Sequence, residues 1–274
     1  MRTDTLYAMK KEMLRRKYSL RTMQSYLFCI KHFFKRNYKD PRYIGKKDIT
    51  NYLDDLASRD KAGSTLNVHL SALRFLVQDV LHKNINLNIR YSKRPKSLPT
   101  VLTKEETKRL FNAIKNPKHR LMIELMYSAG LRVSELLNLK AKDFDENNGW
   151  VRKGKGNRDR PFIVAENLKE RIAGYINLNK LNDSDFLFKG WKKSRMSPST
   201  IQAIVKKASK KAKIRKNVHP HTLRHSFATH LIENDYNVSD VQSLLGHSSM
   251  DTTMIYVHLA SPKLLSVRSP FDSL

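Results

Sequence analysis

The sequence predicts a mainly α-helical protein with one small β-hairpin (class α+β), divided into two domains. Apolar residues recur at helical spacing along most of the chain, whereas two short β-type segments flank a Gly-Lys-Gly-Asn turn between Trp150 and Val164. The 274 residues, of which 40% are apolar, are enough for two domains with cores of their own. We therefore expect an N-terminal four-helix domain and a larger, mostly helical second domain that carries the hairpin.

Helical periodicity defines the first domain, residues 1–83. Ser19 is the expected N-cap of one helix, and Ser64 opens a second. A shorter helix before Tyr18 and another from about Asp48 to Ser58 complete the four. The apolar positions of the two longer helices are Met23, Leu27, Ile30 and Phe34, and Leu66, Leu70, Leu73, Val77 and Val80.

A basic linker is predicted after the first domain, at residues 84–99. The segment shows no apolar face, contains Lys93, Arg94 and Lys96, and is interrupted by proline at two positions. A linker of this charge suits a path along a phosphate backbone, and a solvated connector explains the same composition. Both interpretations stay open on the sequence alone.

The second domain, residues 100–274, begins with the capping box Thr103-Lys-Glu-Glu106, and its next helix ends at Gly130. The hairpin places Lys155 at its tip, and Pro161 restricts the second strand to a sheet edge. The remaining predicted segments are helices near 166–180 and from Pro198 to about 213, and a C-terminal tail at 262–274.

The chain is strongly basic. Its 53 Lys and Arg residues outnumber 25 Asp and Glu residues, which gives a formal net charge of +28. Residues 1–90 hold 19 basic and 8 acidic residues, so both parts of the chain are basic. Such a field attracts polyanions, and double-stranded nucleic acid is the expected partner. A lysine-rich solvated surface is the alternative.

Cysteine usage and hydropathy indicate the compartment. Cys29 is the only cysteine and lies in an apolar helical stretch, so no intrachain disulfide forms and a reducing setting is indicated. No apolar run approaches the roughly 20 residues that span a bilayer, and the N-terminus lacks the apolar stretch of a signal peptide. We expect a cytoplasmic protein, associated with the nucleoid and not with a membrane.

An ordered set of residues in the second domain has the chemistry of phosphodiester cleavage: Arg132, Lys155, His221, Arg224, His247 and Tyr256. Cleavage without a metal needs a nucleophile, positive donors for the non-bridging oxygens and an acid for the leaving oxygen. The guanidinium groups of Arg132 and Arg224 suit the donor role, because they are permanently charged and fork-shaped. Glu135 is spaced to hold Arg132 in place, although a surface Arg–Glu pair is the alternative.

Tyr256 is the candidate nucleophile and Lys155 the candidate acid. A phenol with an ordinary pKa of about 10 needs a nearby base or a positive field, and the arginines and histidines supply both. An ammonium group releases a proton where guanidinium does not, so Lys155 suits the departing 5′ oxygen. The alternatives are a core tyrosine and a solvated turn lysine.

Two histidines complete the set. His221 is three residues before Arg224, so both side chains share a helical face and point toward one phosphate, and His247 follows a predicted helix end. A lone histidine is usually structural, and we give that interpretation to His225 and His230 on the same helix as His221.

A metal site is the competing interpretation of these histidines. His219, His221 and His225 have ligand-like spacing. Arg224 lies among them and repels a cation, and no cysteine is near. We therefore expect no metal ligands and no cofactor.

This order and spacing, with the strings Leu223-Arg-His-Ser-Phe-Ala-Thr-His230 and Leu244-Leu-Gly-His247, resemble the tyrosine recombinases of the phage-type integrase family, most closely the Xer type. The resemblance covers nearly the whole chain. It implies an N-terminal core-binding domain and a C-terminal tyrosine recombinase catalytic domain that form a clamp on a specific DNA site. It also implies attack by Tyr256 to give a 3′-phosphotyrosyl link and a free 5′-hydroxyl, without metal or ATP.

The resemblance further implies four protomers, identical or shared with a related recombinase, that exchange strands through a Holliday junction. The short N-terminal module favours resolution of chromosome or plasmid multimers. An integrase of a mobile element and a type IB topoisomerase are the alternatives, and an inert DNA-binding protein is expected to lack one of the six residues. The apolar residues of the tail are expected to dock on a neighbouring protomer, with docking on the same chain as the alternative.

Overall fold

The computed structural model of the chain describes residues 2–90, 92, 98–145, 148–152, 159–190, 194–246 and 250–260. The chain divides into two compact units, Met1–Lys96 and Ser97–Leu274, and each has a hydrophobic core.

The N-terminal unit is the expected bundle of four helices. The Ser19 hydroxyl accepts a hydrogen bond from the backbone N–H of Thr22 (3.1 Å), which confirms the predicted N-cap. The last helix begins at Gly63, one residue before Ser64, and continues into a π-helical turn. The elements are α1 (Arg2–Arg15), α2 (Leu20–Arg36), α3 (Lys46–Ser58), α4 (Gly63–Phe75) and the turn Leu76–Val80.

The first part of the predicted linker packs against this bundle. Leu87 is buried, and Ile85 and Ile89 contact the same core. Arg74 of α4 donates to the carbonyl oxygens of Leu87 (3.1 Å) and Ile89 (2.6 Å). The sequence interpretation missed this because the three apolar residues alternate with asparagines, which suits an extended segment with one apolar side and gives no helical face.

The second unit is mainly helical and is organised around one buried helix, α10, which packs against α6, α9, α11 and α12. The predicted capping box is present, because Thr103 and Glu106 exchange side-chain and backbone hydrogen bonds. The helices are α5 (Lys104–Asn112), α6 (Pro117–Ser128), α7 (Val133–Asn138), α8 (Glu166–Leu178), α9 (Pro198–Lys211), α10 (Pro220–Glu233), α11 (Val238–Leu245) and α12 (Asp251–Leu259).

The predicted hairpin is an antiparallel pair, β1 (Asn148–Val151) and β2 (Arg160–Ile163), in which Trp150 lies opposite Pro161. Phe162 is buried and places its ring over Gly149, where a Cβ would lie 2.1 Å from the ring. The hairpin is thereby fixed to the core. Lys155, predicted at its tip, lies outside the described residues.

The described helices are all too short or too polar to cross a lipid bilayer.

Candidate active site

A tight turn between α6 and α7 brings the first arginine to α10. Gly130 has a φ of +57°, and a Cβ there would lie 2.5 Å from the Phe227 ring and 2.9 Å from Leu245. Glycine is therefore required both for the left-handed conformation and for the close approach to α10 and α11. The chain leaves this turn at Arg132, the N-cap of α7.

Glu135 is a buried carboxylate that binds the arginines together. It pairs with Arg132 Nη1 (2.6 Å) and Arg160 Nη2 (2.8 Å), accepts from the Arg132 backbone N–H (2.9 Å), and lies 3.8 Å from Arg224 Nη1. Only 6% of Glu135 is exposed, so the alternative of a surface ion pair is wrong. Burial alone would raise the pKa of this carboxyl, but the charge of Arg160 and the hydrogen bonds from Arg132 hold the pKa below its ordinary value.

The C-terminal end of α11 accepts hydrogen bonds from the same three guanidinium groups: Arg160 donates to the carbonyl oxygen of Leu244, Arg224 to that of Leu245 (2.6 Å) and Arg132 to that of Gly246 (3.5 Å). The last carbonyls of a helix lack intrahelical donors and carry partial negative charge. The arginines satisfy these carbonyls. Gly246 ends the helix in the left-handed conformation (φ +62°), which confirms the helix end predicted at this residue.

Arg224 is the most enclosed of the three. Only 3% of the residue is exposed, and Nη1 also donates to the carbonyl oxygen of Gly130 (2.6 Å). Burial first, and then the charge of Arg132, lowers the pKa of Arg224 to about 10, so the guanidinium stays charged at neutral pH. These two carbonyl contacts fix its orientation without saturating a group that has five N–H hydrogens.

Tyr256 reaches the cluster from α12. The residue is 2% exposed, and its hydroxyl lies 3.0 Å from Nδ1 of His225. Burial raises the pKa of Tyr256, whereas the charges of Arg224 and Arg132 act in the opposite direction. His225, interpreted from the sequence as structural, therefore contacts the predicted nucleophile.

Two other histidines of α10, His221 and His230, have different surroundings. His221 lies beside His225, with ring centroids 6.4 Å apart. Partial desolvation, then the charges of His219, Arg224 and Arg132, lower the pKa of His221. His230 bonds the Tyr127 hydroxyl (2.7 Å) and the Leu102 carbonyl (2.9 Å), in agreement with a structural role.

Among the residues that the structure describes, no group of three or more His, Cys, Asp and Glu side chains is arranged to hold a metal ion. His219, one of the three histidines with ligand-like spacing, instead caps α10, because its Nδ1 accepts from the backbone N–H of Thr222 (3.2 Å).

The structure therefore gathers four of the six predicted residues, Arg132, His221, Arg224 and Tyr256, around Glu135. Lys155 and His247 lie outside the described residues. Arg160 and His225 were missed by sequence reasoning. Arg160 stands in a strand 25 residues from Glu135, and no periodic pattern links the two.

This arrangement is suited to an anion at the Tyr256 hydroxyl. Three guanidinium groups and one carboxylate leave a net positive charge in a buried setting, where electrostatic attraction is stronger than in water. Arginine matches the paired oxygens of a phosphate diester. The hydroxyl of Tyr256, the predicted nucleophile, lies within that field.

Both units match known families. Residues 6–87 match the N-terminal SAM-like domain of phage integrases, and residues 100–262 match the phage integrase family. The tyrosine recombinase XerA of Pyrococcus horikoshii is 35% identical over 251 residues, which cover 90% of this chain and 86% of that protein.

Solved structures of recombinases align with nearly the whole chain. The crystal structure of XerA recombinase aligns with a TM-score of 0.58 and 31% identity over 98% of this chain and 100% of that one. A λ integrase dimer bound to a COC′ core site aligns with a TM-score of 0.76 over 93% of this chain and 94% of that one, at 21% identity, a likeness of fold. With a buried tyrosine beside an arginine cluster and matches over both units, the chain belongs to the phage integrase family as a tyrosine recombinase of the Xer type, a family of enzymes that break and rejoin DNA strands.

Proposed function

We propose that this chain is a site-specific DNA recombinase in which Tyr256 attacks a phosphodiester to form a 3′-phosphotyrosyl bond and release a 5′-hydroxyl. The observation that carries the proposal is the position of the Tyr256 hydroxyl, buried within the positive field of Arg224 and Arg132. The phosphodiester energy is kept in the covalent bond, so the strand is resealed without ATP.

Each neighbouring residue has a defined task in this proposal. Arg132 and Arg224 bind the non-bridging oxygens and stabilise the charge that develops on them in the transition state. Glu135 keeps both arginines in place. His221 and His247 donate to the same oxygens, and Lys155 protonates the leaving 5′ oxygen. The roles of His247 and Lys155 come from the sequence.

Residues 1–83 and 100–274 are proposed to bind double-stranded DNA as two domains joined by a linker at 84–99, since both parts are basic. The active assembly is a tetramer on two sites, with the 262–274 tail docked on a neighbouring protomer. The biological task is resolution of chromosome or plasmid multimers in the cytoplasm, at the nucleoid. Integration of a mobile element is the second possibility, because the relatives include a protein named as a putative integrase/recombinase as well as proteins named as Xer tyrosine recombinases.

The test begins with a target sequence. A duplex is selected from a randomised pool by the Tyr256→Phe variant, which keeps the binding surface but lacks the nucleophile. Suicide versions with a nick at successive positions are then incubated with wild-type protein. We expect a covalent adduct with wild type and none with Tyr256→Phe. An adduct in the variant would overturn the assignment.

Two paired sites on a supercoiled plasmid separate recombination from the topoisomerase alternative. Recombinant products support the proposal, whereas relaxation with no exchange of strands on paired sites would overturn it in favour of a type IB topoisomerase.

The role of Lys155 is tested by the leaving group. Lys155→Ala is expected to cleave ordinary DNA slowly and a substrate with sulfur at the 5′ bridging position much faster, because sulfur leaves without a proton. Without preferential rescue, Lys155 positions the phosphate and another group supplies the proton.

A further inference from the structure

The contact between α10 and α12 joins the nucleophile to a histidine outside the predicted set. His225 Nδ1 lies 3.0 Å from the Tyr256 hydroxyl, and the two rings lie 5.7 Å apart at an angle of 45°. A hydrogen bond of this length places Nδ1 at the hydroxyl proton. Attack by Tyr256 on phosphorus has to transfer that proton to some acceptor.

The charged neighbours of the hydroxyl do not suit that task. Arg132 and Arg224 have no acceptor lone pair. Lys155 is assigned to protonate the leaving oxygen, so it has to carry its proton at the moment of cleavage. His225 is the described imidazole that bonds to the hydroxyl.

His225 is also in the charge state that a proton acceptor requires, which is the neutral one. Burial first, and then the charges of His221, His219 and Arg224, lower the pKa of His225 to about 4. These groups lie on α10 or at its cap, and Tyr256 faces His225 from α12. The other described elements packed on α10, which are α6, α9 and α11, add no charge to that set. At neutral pH the imidazole is therefore neutral, with one nitrogen free to accept a proton.

We infer that His225 is a catalytic residue: its Nδ1 accepts the Tyr256 proton as the phenolic oxygen bonds to phosphorus. This inference rests on the proposed function. The Tyr256 O–H bond breaks as the O–P bond forms, the proton moves to Nδ1, and the P–O5′ bond breaks while Lys155 gives its proton to the 5′ oxygen. In resealing, the 5′-hydroxyl gives its proton back to the neutral Lys155 amine as its oxygen bonds to phosphorus, the bond between phosphorus and the Tyr256 oxygen breaks, and the His225 imidazolium returns its proton to that oxygen.

The order of events follows from the two acidities. A free phenol is much less acidic than the His225 imidazolium, so transfer before attack is unfavourable. Once the oxygen begins to bond to phosphorus its affinity for the proton falls, and the bound phosphodiester adds a negative charge that stabilises the imidazolium. Proton transfer therefore accompanies bond formation.

Three variants separate a base from a residue that only positions the hydroxyl. His225→Asn keeps an acceptor oxygen near the place of Nδ1 but removes the base, and His225→Ala removes both. His230→Asn is the matched control, because His230 lies on the same helix and its Nδ1 also bonds a tyrosine hydroxyl, that of Tyr127. Single-turnover cleavage of the selected suicide duplex is measured at saturating protein.

We expect cleavage to fall about 100-fold in both His225 variants and to stay within about 3-fold of wild type in His230→Asn. Added imidazole should accelerate His225→Ala, with rates that rise with the pKa of substituted imidazoles. Wild-type cleavage should decline on the acid side as His225 is protonated, and His225→Asn should lack that decline. A wild-type rate and pH profile in His225→Asn would overturn the inference.

A second measurement covers variants that fold poorly. Fluorinated tyrosine is incorporated at position 256 in otherwise wild-type and in His225→Asn protein. A more acidic phenol needs less help from a base, so the deficit of His225→Asn should shrink with fluorination, and an unchanged deficit would overturn the inference. If wild type forms no adduct, or Tyr256→Phe forms one, the proposed function itself fails, which is a separate result.

Discussion

Each of the two units contains a buried tyrosine whose hydroxyl is bonded to histidine, and the two tyrosines have different electrostatic surroundings. In the N-terminal unit, the Tyr52 hydroxyl lies between Nδ1 of His32 (2.6 Å) and Nδ1 of His69 (2.9 Å). In the catalytic unit, the Tyr256 hydroxyl bonds His225. Burial raises the pKa of both phenols.

The neighbouring charges distinguish the two. The charge of Arg36 lowers the pKa of Tyr52, but Cys29 and Asp55 raise it further. The charges of Arg224 and Arg132 lower the pKa of Tyr256. Among the described residues, no acidic group raises that pKa, and burial alone opposes the arginines. A buried Tyr–His bond is therefore a structural feature of the first unit, and we propose that it is reactive in the second unit, where two arginines lower the pKa of the phenol.

Both units also contain a carboxylate that bridges two arginines. Asp55 pairs with Arg36 (3.1 Å) and Arg59 (2.9 Å), and 34% of its side chain is exposed, against 5% for Glu135. The charge of Asp55 is partly hydrated, whereas the charges around Glu135 depend on one another. A carboxylate that bridges two arginines is therefore expected to contribute more to the stability of the catalytic unit than to that of the N-terminal unit.

The largest expected effect is the loss of stability when the buried carboxylate of Glu135 is replaced. Glu135→Gln should lower the free energy of unfolding of the catalytic unit by about 3–4 kcal/mol, because it leaves buried guanidinium groups without a counter-charge. Asp55→Asn, the exposed counterpart, should cost less than about 1 kcal/mol. Both tryptophans of the chain, Trp150 and Trp191, lie in the catalytic unit. Urea unfolding followed by tryptophan fluorescence reports on the catalytic unit, and circular dichroism reports on both units. Equal losses in the free energy of unfolding for Glu135→Gln and Asp55→Asn would contradict the difference between the two carboxylates.

Arginine geometry gives the next effect. Arg224→Lys should slow single-turnover cleavage by about 10²–10³, since a point charge does not replace a forked donor in the transition state. Arg36→Lys is the control, and at saturating protein its rate should stay within about 2-fold of wild type. Near-normal cleavage by Arg224→Lys would make that arginine structural.

Removing a hydroxyl separates the two tyrosines. Tyr52→Phe should cost the N-terminal unit about 1.5 kcal/mol, because the buried His69 nitrogen loses its partner and the half-buried His32 nitrogen loses one of its partners. It should leave adduct formation intact, whereas Tyr256→Phe should abolish it. Thermal unfolding by circular dichroism and the adduct assay measure the two results, and adduct loss in Tyr52→Phe would contradict the distinction.

The smallest effect is a pH dependence that the two units share. The pKa values of His69 and His225 are lowered to about 4, chiefly by burial. Both are neutral in the folded protein, and the unfolded chain binds more protons below about pH 6.5. The free energy of unfolding is therefore highest above that pH and falls as the pH drops toward 4, by about 1.4 kcal/mol for each histidine at pH 5.5. His69→Gln should flatten the loss that circular dichroism records without flattening the loss seen by fluorescence.

Much of the fold could be predicted because its signals are local. The Ser19 cap, the Thr103–Glu106 capping box and the hairpin each depend on residues within a few positions of one another. The packing of Ile85, Leu87 and Ile89 was missed because an extended segment gains its apolar side only from the core it meets.

The candidate site shows the same difference between local contacts, which spacing predicts, and contacts between distant segments, which it does not. Arg132 and Glu135, three residues apart, were paired correctly from spacing. His225 received a structural interpretation because its partner, Tyr256, is 31 residues away on another helix. Sequence spacing identifies residues that share a helix face, but it does not identify which of several histidines meets a side chain from a different helix. The catalytic roles of all six residues stay predictions, and Lys155 and His247 also lie outside the described residues.

The double attachment of Arg224 bears on how such an enzyme loses activity over evolutionary time. Its guanidinium joins the carbonyl of Gly130 to that of Leu245, so replacing it leaves two carbonyls without these donors and destabilises the fold. Loss of the Tyr256 hydroxyl leaves those contacts intact. Descendants that drift toward DNA binding without cleavage are therefore expected to change position 256 first and to retain the arginines long after they have ceased to touch a reacting phosphate.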